Sequence, residues 1–276
     1  MAIVVVMARN ERHAGQRQPF FEASSAPSVM RRALGEGVAT AALTMAVIFS
    51  AQAAWLGTLR PLALALGVPG AVAALTLSFG PATGAHFNPL VTICQWVRGH
   101  RNTVCLLAYV VAQCLGALVG AEFAGALTPS APHIAPPPAA FVIGSEAFAS
   151  AGLLTIVLAA SLVTGPEIGL LAVVAWLIMV NLGAPAGPYA NPVLALAVPL
   201  ATGTLSIPTA LLHIAAELGG AAIALLTIAL IYPALSADMH DVPRLPAGTA
   251  SPSGSRELPL LDAPELAAGR IVSGTD

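Results

Sequence analysis

Only eight of the chain's 24 charged side chains lie between Ala33 and Leu235: Glu36, Arg60, Arg98, Arg101, Glu122, Glu146, Glu167 and Glu217. A water-soluble domain wets its surface with charge, and roughly 25% of its residues are Asp, Glu, Lys or Arg. Over the whole 276 residues the share here is 9%, against 57% hydrophobic residues. A segment this long and this poor in charge cannot present a wetted surface. An ordinary soluble fold is therefore excluded, and an all-α membrane protein is the expectation.

The remaining charges gather at the two ends and divide the chain into three parts. Residues 1–30 carry Arg9, Glu11, Arg12, Arg17 and Glu22, and their apolar run Ile3–Met7 is too short for a signal-peptide core. Residues 236–276 set Pro243, Pro246, Pro252, Pro259 and Pro264 among Ser, Gly and mixed charges. Both ends read as disordered tails around a membrane domain of residues 31–235. The net charge of -2 gives no basic footprint for nucleic acid. Three cysteines, Cys94, Cys105 and Cys114, provide neither a disulfide framework nor metal-ligand spacing and read as small buried hydrophobes. No Ser/His/Asp grouping, His-Glu-x-x-His or phosphate loop is present, so neither an enzyme nor a cofactor is expected.

Six stretches of the body, about 32–55, 61–80, 103–126, 141–163, 168–184 and 207–233, are apolar and near the roughly 20 residues that a helix needs to cross a bilayer. Two more, 88–97 and 191–201, are far too short to cross, and each opens on Asn-Pro. Short Pro-marked apolar segments at matching places in two halves point to re-entrant half-helices lining a polar path.

The halves match at nearly one period. Asn88-Pro89 recurs as Asn191-Pro192, 103 residues on; Glu36 with Thr40 recurs as Glu146 with Ser150, 110 on; Gln113 with Gly116 recurs as Glu217 with Gly220, 104 on. Each half, about 31–127 and 141–235, holds three spans. An odd number sets the copies in opposite orientations, an inverted 3+3 repeat. The short segments then enter from opposite faces. Asn caps each one, Pro occupies its first turn, and the two positive helix ends face each other. A cation or proton meets an unfavourable field there, while a neutral solute with oxygen lone pairs can accept from the Asn88 and Asn191 amides. Arg31, Arg32, Arg98 and Arg101 place the N-terminus and the 98–102 loop in the cytoplasm, and six spans return the C-terminus to the same side.

These motifs resemble the aquaporin and aquaglyceroporin superfamily, the major intrinsic proteins. The first, Gly84-Ala85-His86-Phe87-Asn88-Pro89-Leu90-Val91-Thr92, is close to the family's first-half signature, and Tyr189-Ala190-Asn191-Pro192-Val193 is a looser version of the second. The resemblance covers about 31–235. It implies a homotetramer in the cell (plasma or inner) membrane and a pore built on Asn88, Pro89, Leu90, Asn191, Pro192 and Val193. Counting from the two Asn residues, it implies a selectivity filter of Val68, Met179, Pro188 and Leu194. It also implies that Glu36 and Glu146 accept hydrogen bonds from the re-entrant loops. His86 reads as either a structural histidine or a pore residue. Glu217 reads as a neutral, Gln-like packing residue or a pH-sensitive group.

The departures lie at the filter. Leu90 and Val193 replace the usual Ala, and Leu194 stands where the family places Arg. Within the family the chain looks most like bacterial members that lack this Arg, some linked to arsenite passage. A solute that finds no donor in a narrow dry pore loses about 1–3 kcal/mol per missing hydrogen bond. The expectation is a passive channel for small uncharged solutes, either glycerol-like polyols or neutral metalloid hydroxides such as arsenite, with or without water. Two alternatives stand beside it: a secondary transporter with broken helices, and a non-conducting relative whose apolar constriction stays dewetted.

Overall fold

The computed structural model of the chain describes residues 27–53, 60–128, 138–163, 166–184, 188–203 and 206–232. Most of both proposed tails, and most of the loop with His133 and Pro136-Pro137-Pro138, lie outside these. The described residues are helical throughout, with short connections. The helices are α1 (Val29–Ala51), α2 (Arg60–Thr83), α3 (Pro89–Val97), α4 (Thr103–Leu127), α5 (Ala139–Val163), α6 (Pro166–Gly183), α7 (Pro192–Thr202) and α8 (Ile207–Ile231). α1, α2, α4, α5 and α8 are long and apolar enough to cross a membrane. α6 has 18 residues, about 27 Å at 1.5 Å per residue, close to the hydrocarbon thickness of a bilayer. α1 begins two residues inside the stretch assigned to the N-terminal tail. It stops at Ala51, short of the expected end at residue 55, with Gln52 as its C-cap.

Each half folds on one plan. α1 packs against α4 and α2, and α5 packs against α8 and α6 in the same way; α2 and α6 meet across the middle. The half-helices α3 and α7 fill the remaining space, α3 against α4, α5 and α8, α7 against α8, α4 and α1. Small residues permit the closest crossings. A side chain at Gly116 would strike the Gly37 carbonyl, and one at Gly220 would come within 2.6 Å of the Ala147 carbonyl oxygen. These are the same contact repeated, because Gly37 and Ala147 are 110 residues apart, as are Glu36 and Glu146. In lipid, such close backbone approach supplies the packing that water expulsion supplies in soluble proteins.

The polarity of the bundle is inverted relative to a soluble protein. Leu66, Leu77, Val119, Leu171 and Leu230 are exposed on its outside, while Glu36, Gln113, Glu146 and Glu217 are fully buried inside. Apolar residues outside and carboxyl groups inside are the arrangement of a multi-pass membrane protein, whose solvent is hydrocarbon and whose interior lines a polar path. Cys94 and Cys105 are buried as expected, but Cys114 lies on the exposed face of α4.

Candidate functional site

Both half-helices start the same way. Asn88 and Asn191 are extended, with φ of -152° and -158°, and their side-chain oxygens accept from the N–H groups of Leu90 and Val193 at 2.9 and 3.3 Å. The Pro that follows each has no N–H to satisfy and sits where a helix tolerates it. The residue before each Asn is left-handed: Phe87 and Ala190 both have φ of 49°. This turn sends their carbonyls toward the opposite half. Asn88 Nδ2 donates to Ala190 O at 2.7 Å, and Asn191 Nδ2 donates to Phe87 O at 2.9 Å. The two half-helices are therefore cross-braced by their own caps. Each amide keeps its second N–H, so one donor per Asn is left for a passing solute.

The N–H groups of the same loop residues point away from the middle and are caught from behind. Glu36 accepts from His86 N at 3.0 Å and from Phe87 N at 2.6 Å. Gln113 Nε2 donates both to Glu36 Oε2 at 2.8 Å and to Thr92 Oγ1 at 3.1 Å. In the second half Glu146 accepts from Tyr189 N and Ala190 N, each at 2.9 Å, and His213 Nδ1 lies 2.6 Å from Glu146 Oε1. Glu217 Oε1 accepts from Asn191 N at 2.8 Å. Irregular backbone at membrane depth must find partners inside the protein, and here buried carboxyl groups supply them.

A cavity of about 100 Å3 is lined by both caps, Asn88 and Asn191. That is room for several waters. Asn88, Val91 and Gln95 line it from α3, and Asn191 and Leu194 from α7; Val68, Val72 and Thr76 line it from α2, and Leu170, Val173 and Leu177 from α6. Leu43, Leu153 and Val157 complete the apolar wall, with Gly84 to Phe87 and Tyr189 and Ala190 at the loops. No Asp, Glu or Arg is among these lining residues. His86 lines the cavity, with Nδ1 tied to Thr92 Oγ1 at 3.0 Å.

Six of the expected pore residues are not among those that line this cavity: Met179, Pro188, Leu90, Val193 and the two prolines Pro89 and Pro192. Met179 is 42% exposed, because it lies two residues beyond Leu177, about 200° around α6 from the lining stripe. Pro188 is buried, and its neighbour Tyr189 lines the cavity in its place. Leu90 is fully buried and packs with Cys94, Leu154 and Leu158, while Val193 packs with Ala121 and Ala124. Both sit one position off the stripe that carries Asn88 with Val91 and Asn191 with Leu194. Val68 and Leu194 do line the cavity, and α6 contributes Leu177 where Met179 was expected. Apart from Val68, the lining residues of α1, α2, α5 and α6 were not singled out from sequence. Their signal is the repeat itself: Leu43 maps on Leu153 and Val91 on Leu194 at the offsets of the motifs, 110 and 103, and Val72 on Leu177 at 105, close to them.

Arg101, one of the residues used to orient the chain, is not a loose loop charge. It is 4% exposed, donates from Nη2 to Thr83 O at 3.1 Å and lies 5.6 Å over the Tyr109 ring. It ties the end of α2 to the start of α4.

Comparison with known proteins matches residues 22–166 to the family described as major intrinsic protein. That is just over half the chain, and it includes Asn88-Pro89 but not Asn191-Pro192. An uncharacterized aquaporin-like protein of Haemophilus influenzae is 49% identical over 45 residues, which is 16% of this chain and 21% of that protein. The lens fiber major intrinsic protein of Ovis aries is 40% identical over 75 residues, 27% of this chain and 28% of its own length. Aquaporin-5 of Sus scrofa is 36% identical over 74 residues, 27% of each chain. The matched stretches thus span less than a third of these three relatives.

Proposed function

Because the chain belongs to the major intrinsic protein family, we propose that it is a passive channel for small uncharged solutes, and that residues 31–235 form the channel domain. One observation carries this reading: the cavity is lined by two Asn-capped helix starts, and no Asp, Glu or Arg is among the described residues that line it. Each helix end presents about half a positive charge, so a cation entering between them is repelled and finds no carboxylate to compensate. A secondary transporter needs ionisable groups in its path to couple an ion. His86 is the one such group among the lining residues besides the phenol of Tyr189.

The wall formed by Val68, Val72, Val173, Leu177 and Leu194 offers no hydrogen-bond donor from its side chains. A solute crossing this stretch keeps its polar groups unpaired, at about 1–3 kcal/mol for each one lost. Solutes with an apolar face lose less than water does per unit of size. This favours glycerol-like polyols and neutral metalloid hydroxides such as arsenite, with water as a lesser or equal permeant. We place the protein in the cell membrane as a homotetramer with one pore per subunit and both termini in the cytoplasm.

Stopped-flow swelling of proteoliposomes in gradients of water, glycerol, urea and arsenite tests the reading. Flux linear in the gradient with a low activation energy is expected. Flux equal to that of empty liposomes for every solute rejects it. Leu194→Arg tests the wall: the new guanidinium supplies donors for water and narrows the path. The glycerol-to-water permeability ratio is expected to fall by about tenfold, the equivalent of one hydrogen bond gained by the smaller solute. An unchanged ratio would show that Leu194 is not at the selective step.

A further inference from the structure

The two halves hold their loops with different chemistry. In the first half one carboxyl group, Glu36, is backed by a neutral amide, Gln113, which donates to it. In the second half position 217, the repeat of position 113, carries a second carboxyl group. Glu146 and Glu217 bind the N–H groups of consecutive residues, Ala190 and Asn191, so the two carboxyl groups lie side by side. The rings behind them are also exchanged. His86 of the first loop meets Tyr109 of α4 with centroids 5.2 Å apart, and Tyr189 of the second loop meets His213 of α8 at 5.6 Å. The second half thus gathers two carboxyl groups, an imidazole and a phenol around the entry to α7.

Glu217 is fully buried, and its Oε2 has no hydrogen-bond partner. The groups facing it are Glu146 from α5, Tyr189 from the loop into α7 and His213 from its own helix. From α3, Cys94 packs in the cluster that holds Ala221 and Ala224, one turn and more further along α8. His213 is already paired with Glu146. An ionised Glu217 would add a second buried negative charge with one oxygen bare, an arrangement that is strongly unfavourable. A proton on Oε2 removes that charge and gives α8 the donor that Gln113 supplies to Glu36 in the first half.

We propose that Glu217 is a positioning residue that holds Asn191 at the pore through its backbone N–H in the neutral form, and that its ionisation loosens the Tyr189–Asn191 loop and lowers permeability at alkaline pH. The pore role rests on the channel reading; the positioning role does not. Ionised Glu217 repels Glu146, which alone holds Tyr189 N and Ala190 N, so the loop that presents Asn191 is the part that yields. Gln at 217 keeps the acceptor for Asn191 N, adds a permanent donor beside Glu146 and cannot ionise.

Two measurements on the full-length protein test this. Solute flux in proteoliposomes is expected to fall by about tenfold from about pH 6 to about pH 9 in the wild type, to stay level in Glu217→Gln, and to be low throughout in Glu217→Leu. The melting temperature in detergent gives a readout that needs no conduction. A group protonated in the folded chain and ionised in the unfolded one makes stability fall as pH rises. The wild-type melting temperature should therefore decline over that range, and the Glu217→Gln decline should be markedly shallower. Matching melting profiles in the two proteins, or measurable flux with the same pH profile in both, overturn the proposal. No flux at any pH together with distinct melting profiles would overturn the channel reading and leave the positioning role standing.

Discussion

Replacing Glu146 by Leu will reduce solute flux to that of empty liposomes and destabilise the protein by about 2–6 kcal/mol, at about 1–3 kcal/mol for each of the two buried backbone N–H groups left unpaired. Leucine is close to glutamate in volume, so the loss is one of bonding. It strands Tyr189 N, Ala190 N and the His213 ring, all of which Glu146 receives at 2.9 Å or less. Glutamine is not expected to rescue, unlike at position 217. Glu146 uses both oxygens as acceptors for backbone N–H groups, and an amide would turn one of them into a donor facing a donor. Flux assays and melting temperatures of Glu146→Leu and Glu146→Gln check this. A Glu146→Gln protein with wild-type flux would show that the loop is held by something other than these bonds.

The second large effect is expected one residue apart on α8. Gly220→Val should prevent accumulation of folded protein, while Gly219→Val should leave it near the wild-type level. A Cβ at Gly220 meets Ala147 O at 2.6 Å, Ser150 Cβ at 2.8 Å and Ala151 N at 2.9 Å. Two of these atoms are backbone of α5 and cannot swing away. Overpacking typically costs about 1–3 kcal/mol where side chains can adjust, and here they cannot. At Gly219 nothing lies within 4 Å, and the position faces outward. Gel filtration of the detergent-extracted proteins decides it: a monodisperse Gly220→Val protein with normal melting would mean that α5 and α8 do not cross this closely.

The helices and the repeat were legible because they rest on quantities that sequence carries directly: apolar length, Pro and Asn at half-helix starts, and matched residues at a repeated offset. The positions of Glu36, Glu146 and Gln113 were legible for a related reason, since ionisable or amide groups in apolar spans stand out. Which side chains face the cavity was less so. Met179 and Pro188 were placed by counting through a turn, and a shift of two residues on a helix moves a side chain to the far side. Leu90 and Val193 were grouped with the motif by adjacency, although neighbours on a helix point about 100° apart. The burial of Arg101 was not legible either. Its partner is the carbonyl of Thr83, and a backbone acceptor leaves no mark in the sequence.

The crossed caps make the two repeats interdependent in time as well as in space. Asn88 donates to a carbonyl that is synthesised about a hundred residues later, and Phe87 receives its amide from the same distant stretch. A nascent chain holding only the first three spans has an open-ended half-helix with one donor and one acceptor unused. The loop into α7 supplies both partners. Two copies of one half, related by a two-fold axis, would satisfy each other in the same manner. The fused chain inherits that mutual completion, but its two sides have since been free to diverge, and Gln113 opposite Glu217 is where they have done so.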